Sequence, residues 1–207
     1  MTRNYTTRLR WVLLWSMCSA GVAFAILQPI PSTAIKPFAD YRTYVLVEEV
    51  AYHVGNSNIT VTVPAGFVTD LASIPQAFWS LGLTPTGRYS KAAIVHDYLY
   101  WTQLCTRQQA DNILLIAMKE SLVPAATRDA IYRGVRAAGS AAWSENARQR
   151  AEGLPKVIPT SQWNFGPQVL WKDYQLQLKA QGIKDPAPPP GTYCVLGNST
   201  QVPQAAE

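Results

Sequence analysis

The chain has 207 residues, 48% of them apolar, which suits one domain with a real core plus tails rather than several domains. Its formal charge of +5 is concentrated at the start, because the first 25 residues hold Arg3, Arg8 and Arg10 and no acid, leaving fifteen basic against thirteen acidic residues in the body. So neutral a body gives no electrostatic basis for binding nucleic acid.

The three arginines precede a stretch without charge from 11 to 35. Ala23-Phe24-Ala25 fits the small-x-small pattern of a cut after Ala25, whereas 11–27 left uncut is nearly long enough to anchor in a bilayer. On either reading of segment 1–25, the basic flank stays in the cytoplasm and the body is exported, periplasmic or anchored at the inner membrane. Met17 before Cys18 is a poor lipoprotein match, so lipidation is not expected. Residues 26–40, with Pro29, Pro31 and Pro37, read as an extended spacer, 41–150 as the globular domain and 151–207 as a Pro-rich extension. Export permits a disulfide between the two body cysteines, Cys105 and Cys194; two separate thiols are the other reading.

Two runs rich in Val, Thr and Tyr, 43–54 and 59–63, flank Gly55-Asn56-Ser57-Asn58 and predict a β-hairpin. His53, at the end of the first run, reads as a packed or solvated imidazole. Asp70 then sits between an apolar strand end and an apolar helix start. Ser73 and Gln76 have capping-box spacing with Pro75 in the first turn, which predicts a short helix through Leu81. The run from 89 to 101 predicts the central helix. His96 and Asp97 lie side by side within its aromatic second half, where desolvation demands partners or a metal. At about 100° per residue, His96 shares a face with Ala92, Ala93, Leu99 and Tyr100, and Asp97 points to an adjoining one.

Thr106 and Gln109 repeat the capping-box spacing before a helix over 107–122, whose apolar stripe includes Ile113, Leu114 and Met118. Asp111 interrupts that stripe: either it faces solvent at the helix start, where the macrodipole favours an acid, or it reaches across to the first helix, where an antiparallel pair of helices could bring it to His96. A third helix starts at Pro124 and carries Ile131, Val135 and Trp143, with Arg128, Arg133, Arg136 and Arg148 reading as a solvated basic face. Val169, Leu170, Tyr174, Leu176 and Leu178 suggest one more short helix, and 186–191 an extended strap or loose tail. The expected class is therefore α+β and mainly α: a β-hairpin, three or four packed helices, and a Pro-rich tail.

Gly66-Phe67-x-Thr69-Asp70-x-Ala72-Ser73-Ile74-Pro75, then Gly87-Arg88-Tyr89-x-Lys91-Ala92-Ala93, then His96-Asp97-Tyr98-Leu99-Tyr100, then Ala110-Asp111 and Met118, together resemble a set of phage and bacterial proteins, the domain of unknown function 1353 family. The resemblance covers about 59–143 and implies no activity. His96-Asp97-x-x-Tyr100 on a helix is also similar to the active-site helix of secreted calcium-dependent phospholipases of the A-two type. Asp70-x-x-Ser73-x-Pro75 resembles the calcium loop of their bacterial members, and Asp111 with Met118 resembles their second helix. This second likeness implies His96 as general base, Asp111 as its orienting partner, and Asp97 and Asp70 with carbonyls near Leu71 and Ala72 as ligands of Ca²⁺. Ser73, Arg88 and Tyr100 are further candidates, and a lipid or membrane surface is the implied partner. The half-cystines that those enzymes carry in the calcium loop and before the His-Asp pair are absent here. The alternative is a non-enzymatic phage- or envelope-associated interaction module in which Asp70, His96, Asp97 and Asp111 form a satisfied buried polar cluster.

Overall fold

A computed structural model describes residues 33–71 and 89–204, and from Pro31 onward the chain is one compact unit. The export segment and the short helix expected after Ser73 lie outside the described residues. Among the described residues, no helix is long and apolar enough to cross a membrane.

Strands β1 (Ile35–Pro37), β2 (Tyr44–Leu46) and β5 (Val68–Thr69) form one antiparallel sheet in the order β1-β2-β5, with Ile35 opposite Leu46 and Tyr44 opposite Thr69. Strands β3 (Val50–His53) and β4 (Thr60–Val63) form a separate hairpin with Val50 opposite Val63. The single strand expected over 43–54 is therefore two strands in two sheets. Val47, Glu48 and Glu49 make an exposed bend between them, because two adjacent carboxylates have no low-cost place on a half-buried strand. Within the hairpin, Val50 and Tyr52 turn inward on one strand and Val61 and Val63 on the other, as the period of two requires. His53 is engaged only at the rim, 2.8 Å from the Thr60 hydroxyl.

Helix α1 (Ser90–Thr102) buries ten of its 13 residues and is apolar nearly all round, the composition of a helix enclosed on every side. It touches β3, β4, β5, α2 (Arg107–Glu120) and α3 (Ala125–Ala151). It ends at Gln103, whose left-handed backbone (φ 52°) lets its N–H reach the Leu99 carbonyl. Helix α2 begins with the expected capping box: the Gln109 N–H donates to the Thr106 hydroxyl at 3.2 Å, and the Thr106 N–H to the Gln109 side chain at 2.8 Å. On α3, Arg148 lies on the surface between Glu145 and Glu152, a pairing of small energetic weight.

The C-terminal region packs back over this unit. Helix α4 (Trp171–Ala180) closes a second small core in which Phe38 stacks on Phe165 at 4.6 Å beside Trp171 and Tyr174. Residues 156–158 run alongside β5: the Val68 N–H donates to the Lys156 carbonyl and the Ile158 N–H to the Gly66 carbonyl, both at 2.9 Å. That approach requires glycine, since a Cβ on Gly66 (φ +84°) would lie 2.1 Å from the Ile158 carbonyl oxygen. Residues 192–198 lie on α2, where Asn112 donates to the Gly197 carbonyl at 2.8 Å. Beyond them the Asn56 N–H donates to the Pro203 carbonyl at 3.0 Å, so the tail is tied from α2 to the hairpin turn.

Of the two readings of the cysteines, the paired one holds: Cys105 and Cys194 are disulfide-bonded, with Cα atoms 5.2 Å apart across 89 residues of sequence. Replacing both by serine is expected to remove about 2 to 4 kcal/mol of stability. Thermal unfolding should then show a midpoint lower by roughly 10 °C. Identical melting of oxidised and reduced protein would contradict the staple.

Candidate functional site

Asp111 is fully buried on the face of α2 turned toward α1 and α3, and its carboxylate is bonded on both oxygens. Oδ1 accepts from His96 Nε2 at 2.9 Å and from the Tyr100 hydroxyl at 2.6 Å, while Oδ2 accepts from Arg136 at 2.7 Å and from Arg107 at 3.3 Å. Burial pushes the Asp111 carboxyl up, but hydrogen bonds from His96 and Tyr100 and the charges around it outweigh burial and hold it below the usual carboxylate range. An ionised carboxylate only accepts, so Nε2 carries a proton, which selects the tautomer in which Nδ1 is the nitrogen able to take up another. The Tyr100 hydroxyl fits because Gly139 of α3 faces it; a Cβ there would lie 2.4 Å from that oxygen. His96 and Tyr100 also touch ring to ring, with centroids 4.1 Å apart.

Arg136 corrects one expectation. The pattern of α3 puts it on a solvated basic face, yet it reaches back into the core to neutralise Asp111, because a buried carboxylate without a cation is far costlier than a tethered arginine. Arg107, one helical turn before Asp111, donates as well to the carbonyls of Val135 and Arg136 and so ties α2 to α3.

A further acid, Asp97, lies on the adjoining face of α1, and Asp70 acts on it from the end of β5. Asp97 accepts from the Thr69 hydroxyl at 2.5 Å, and Thr69 in turn accepts from the Leu71 N–H at 3.0 Å. Leu71 is buried in a left-handed conformation (φ 58°), which is uncommon for a residue with a branched side chain. Burial, and then the neighbouring Asp70 carboxylate, raise the pKa of Asp97, against the opposing influence of Lys156 and Thr69. Two carboxylates thus meet at the end of β5. Ser73 and Arg88 lie outside the described residues.

His96, Tyr100, Asp97 and Asp70 line a cavity of about 650 Å³, of ordinary size for a small-molecule site. Its opposite wall is the small-residue face of α3, including Ala130, Gly134 and Ala138, and Trp171 and Lys156 enter it from the C-terminal region. Sequence reasoning did not find Lys156, Thr69, Arg107 or Arg136. The i, i+4 spacing of Arg107 and Asp111 was a usable signal for one of them. Nothing local marks Arg136 or Lys156, which arrive through tertiary packing.

Asp111 has a lowered folded pKa, so its stabilising contribution is complete above the unfolded carboxylate value, about 4, and is lost as pH falls through the folded value. Asp111→Asn is expected to cost about 3 kcal/mol at neutral pH, since it leaves two arginines and a histidine facing a neutral amide. It should also flatten the acid limb of stability against pH, measured by urea unfolding at stepped pH. Parallel acid limbs for wild type and variant would show that the carboxylate is not the anchor.

The family described as "Protein of unknown function (DUF1353)" matches residues 44–135, the segment that carries β2 to β5, α1, α2 and the first part of α3. The chain is 37% identical over 78 residues to "Uncharacterized protein y4jT" of Sinorhizobium fredii. That alignment spans 37% of this chain and only 23% of the relative. No solved structure matches the chain. Residues 44–135, which carry Asp70, His96, Asp97 and Asp111, are thus the part of the chain that is similar to the DUF1353 family.

Proposed function

We propose that the protein is a calcium-assisted hydrolase of ester substrates with an apolar chain, working at a lipid surface outside the cytoplasm. The observation that carries this reading is the state of His96: Nε2 is held by a buried, ionised carboxylate while the ring lines a cavity with an apolar wall. In a reaction on an ester, Nδ1 removes the proton of a water molecule as its oxygen bonds to the carbonyl carbon. Asp111 stabilises the imidazolium that forms. The ester C–O bond then breaks, and the imidazolium returns its proton to the departing alkoxide, leaving an acid and an alcohol. Such general-base assistance contributes typically 10² to 10⁴-fold in rate.

Asp97 and Asp70 suit a hard cation that prefers oxygen ligands. Among the described residues, no group of three or more His, Cys, Asp or Glu converges on a metal position, so backbone carbonyls near Leu71 and substrate oxygens would complete the shell. Calcium held there would polarise the ester carbonyl. The Cys105–Cys194 bond supports an oxidising compartment and hence the export reading.

Purified protein lacking residues 1–25 is to be incubated with phospholipid vesicles and calcium, and released fatty acid measured. His96→Ala is expected to lower the rate about 10²-fold with the circular dichroism spectrum retained. Asp97→Asn should remove the calcium dependence. If the intact protein releases no fatty acid and gains no melting temperature from calcium, while His96→Ala unfolds it, the polar cluster is structural and the interaction-module reading replaces this one. Independently, a reporter active only outside the cytoplasm, fused after Glu207 of the full chain, should be active; activity of a cytoplasm-only reporter would refute export.

A further inference from the structure

Helix α3 has 27 residues, and Ile131 is the one among them that is buried. Ala130, Gly134, Ala138 and Ala142 make a ridge at i, i+4 spacing along it, and all four line the cavity that holds His96. The two glycines on this part of the helix differ in what demands them. Packing requires Gly139, where a Cβ would meet the Tyr100 hydroxyl, whereas a Cβ on Gly134 would meet no atom within 4 Å, and its backbone is ordinary right-handed helix. Glycine is the least stable helix residue after proline. In mid-helix, where neither backbone nor packing requires it, Gly134 has one physical effect: it keeps the space in front of it empty. A second observation comes from the opposite wall. His96 is only 4% exposed, its Nε2 is taken by Asp111, and among the described residues its Nδ1 has no hydrogen-bond partner, although the ring lines the same space. A buried polar atom left open in a cavity with an apolar wall points to a ligand that puts a polar group at that atom and an apolar part beside it.

We infer that Gly134 is the specificity-determining position of the site: the apolar chain of the ester lies along the ridge from Ala130 to Ala142, in the space that Gly134 leaves free. This rests on the proposed reading of the cavity as the substrate site and deepens it, because it names the substrates as esters of an extended chain. The ridge spans twelve residues of helix, about 18 Å, which suits such a chain rather than an acetyl group. Every methylene laid on it leaves water, so affinity rises with chain length. Leucine at position 134 would meet no obstacle at its Cβ and would fill the same space in competition with the chain. A ridge of small residues also suits the close approach of another helix, from a second copy of this chain, and the test separates the two occupants.

The test is a binding measurement that needs no turnover. Hexanol, octanol and decanol, whose hydroxyl can donate to Nδ1, are titrated calorimetrically into the full chain and into Gly134→Leu, with molecular mass followed by light scattering. Wild-type affinity is expected to rise roughly threefold with each added methylene, whereas Gly134→Leu loses this dependence and binds decanol roughly tenfold more weakly. Gly134→Ala, whose methyl group enters open space, is expected to raise the melting midpoint by about 2 °C, which a glycine required by packing would not do. The inference is overturned by a wild type that shows no rise with chain length, by a Gly134→Leu protein that keeps the rise or does not fold, or by a lower midpoint for Gly134→Ala. A dimeric wild type that Gly134→Leu makes monomeric overturns it as well, in favour of the second copy. Chain-length discrimination without ester hydrolysis would refute the hydrolase and spare the slot. Hydrolysis of decanoyl and acetyl esters that Gly134→Leu leaves equally unaffected would do the reverse.

Discussion

A single carboxylate decides how the three main helices meet. Asp111 is sealed from solvent, and taking it out of water unpaired would cost far more than the few kcal/mol by which domains are stable. Four donors from three elements answer that cost: His96 and Tyr100 from α1, Arg107 from α2 and Arg136 from α3. Because each donor has one productive geometry, satisfying the carboxylate also fixes the distance and rotation of α1 and α3 against α2. The tautomer of His96 follows from the same bond. A structural demand and a chemical poise are therefore met by one set of contacts, and neither reading of the cluster removes the other's physical basis.

The site is assembled on two kinds of support. Its imidazole stands on a helix enclosed on all sides, where a rotamer is held by packing. Its carboxylate pair stands where β5 ends, with Thr69 bonded to Asp97 and to the Leu71 backbone, so hydrogen bonds add to packing in ordering that side. The division suits the work proposed for each half. A proton acceptor has to keep one orientation, whereas a cation shell of carboxylates and carbonyls tolerates adjustment.

Much of this was legible because it is local. The capping box of α2, the enclosed character of α1 and the meeting of His96 with Asp111 follow from spacings of a few residues and from the length of the connection between two helices. The hairpin β3–β4 was legible for the same reason. The break between β2 and β3 falls at Glu48-Glu49, two adjacent carboxylates inside a run otherwise rich in β-branched residues. The partnership of β1 and β2 with β5, the inward turn of Arg136 and the arrival of Lys156 were not legible. They depend on which surfaces happen to meet, and a periodicity argument carries no information about that. The candidate site divides along the same line, with its residues on α1 and α2 readable and its contributions from α3 and the C-terminal region not.

The stretch beside β5 and the Cys105–Cys194 bond both come late in the chain, and this gives sequence order a meaning in time. A chain synthesised from its N-terminus forward presents α1 and α2 well before residues 156–158 and Cys194 exist. During that interval the imidazole and the acids can meet, while one wall of the cavity and the covalent closure are still missing. The stretch from Lys156 to Cys194 thus works as a completion step, closing a cavity whose other walls are already in place.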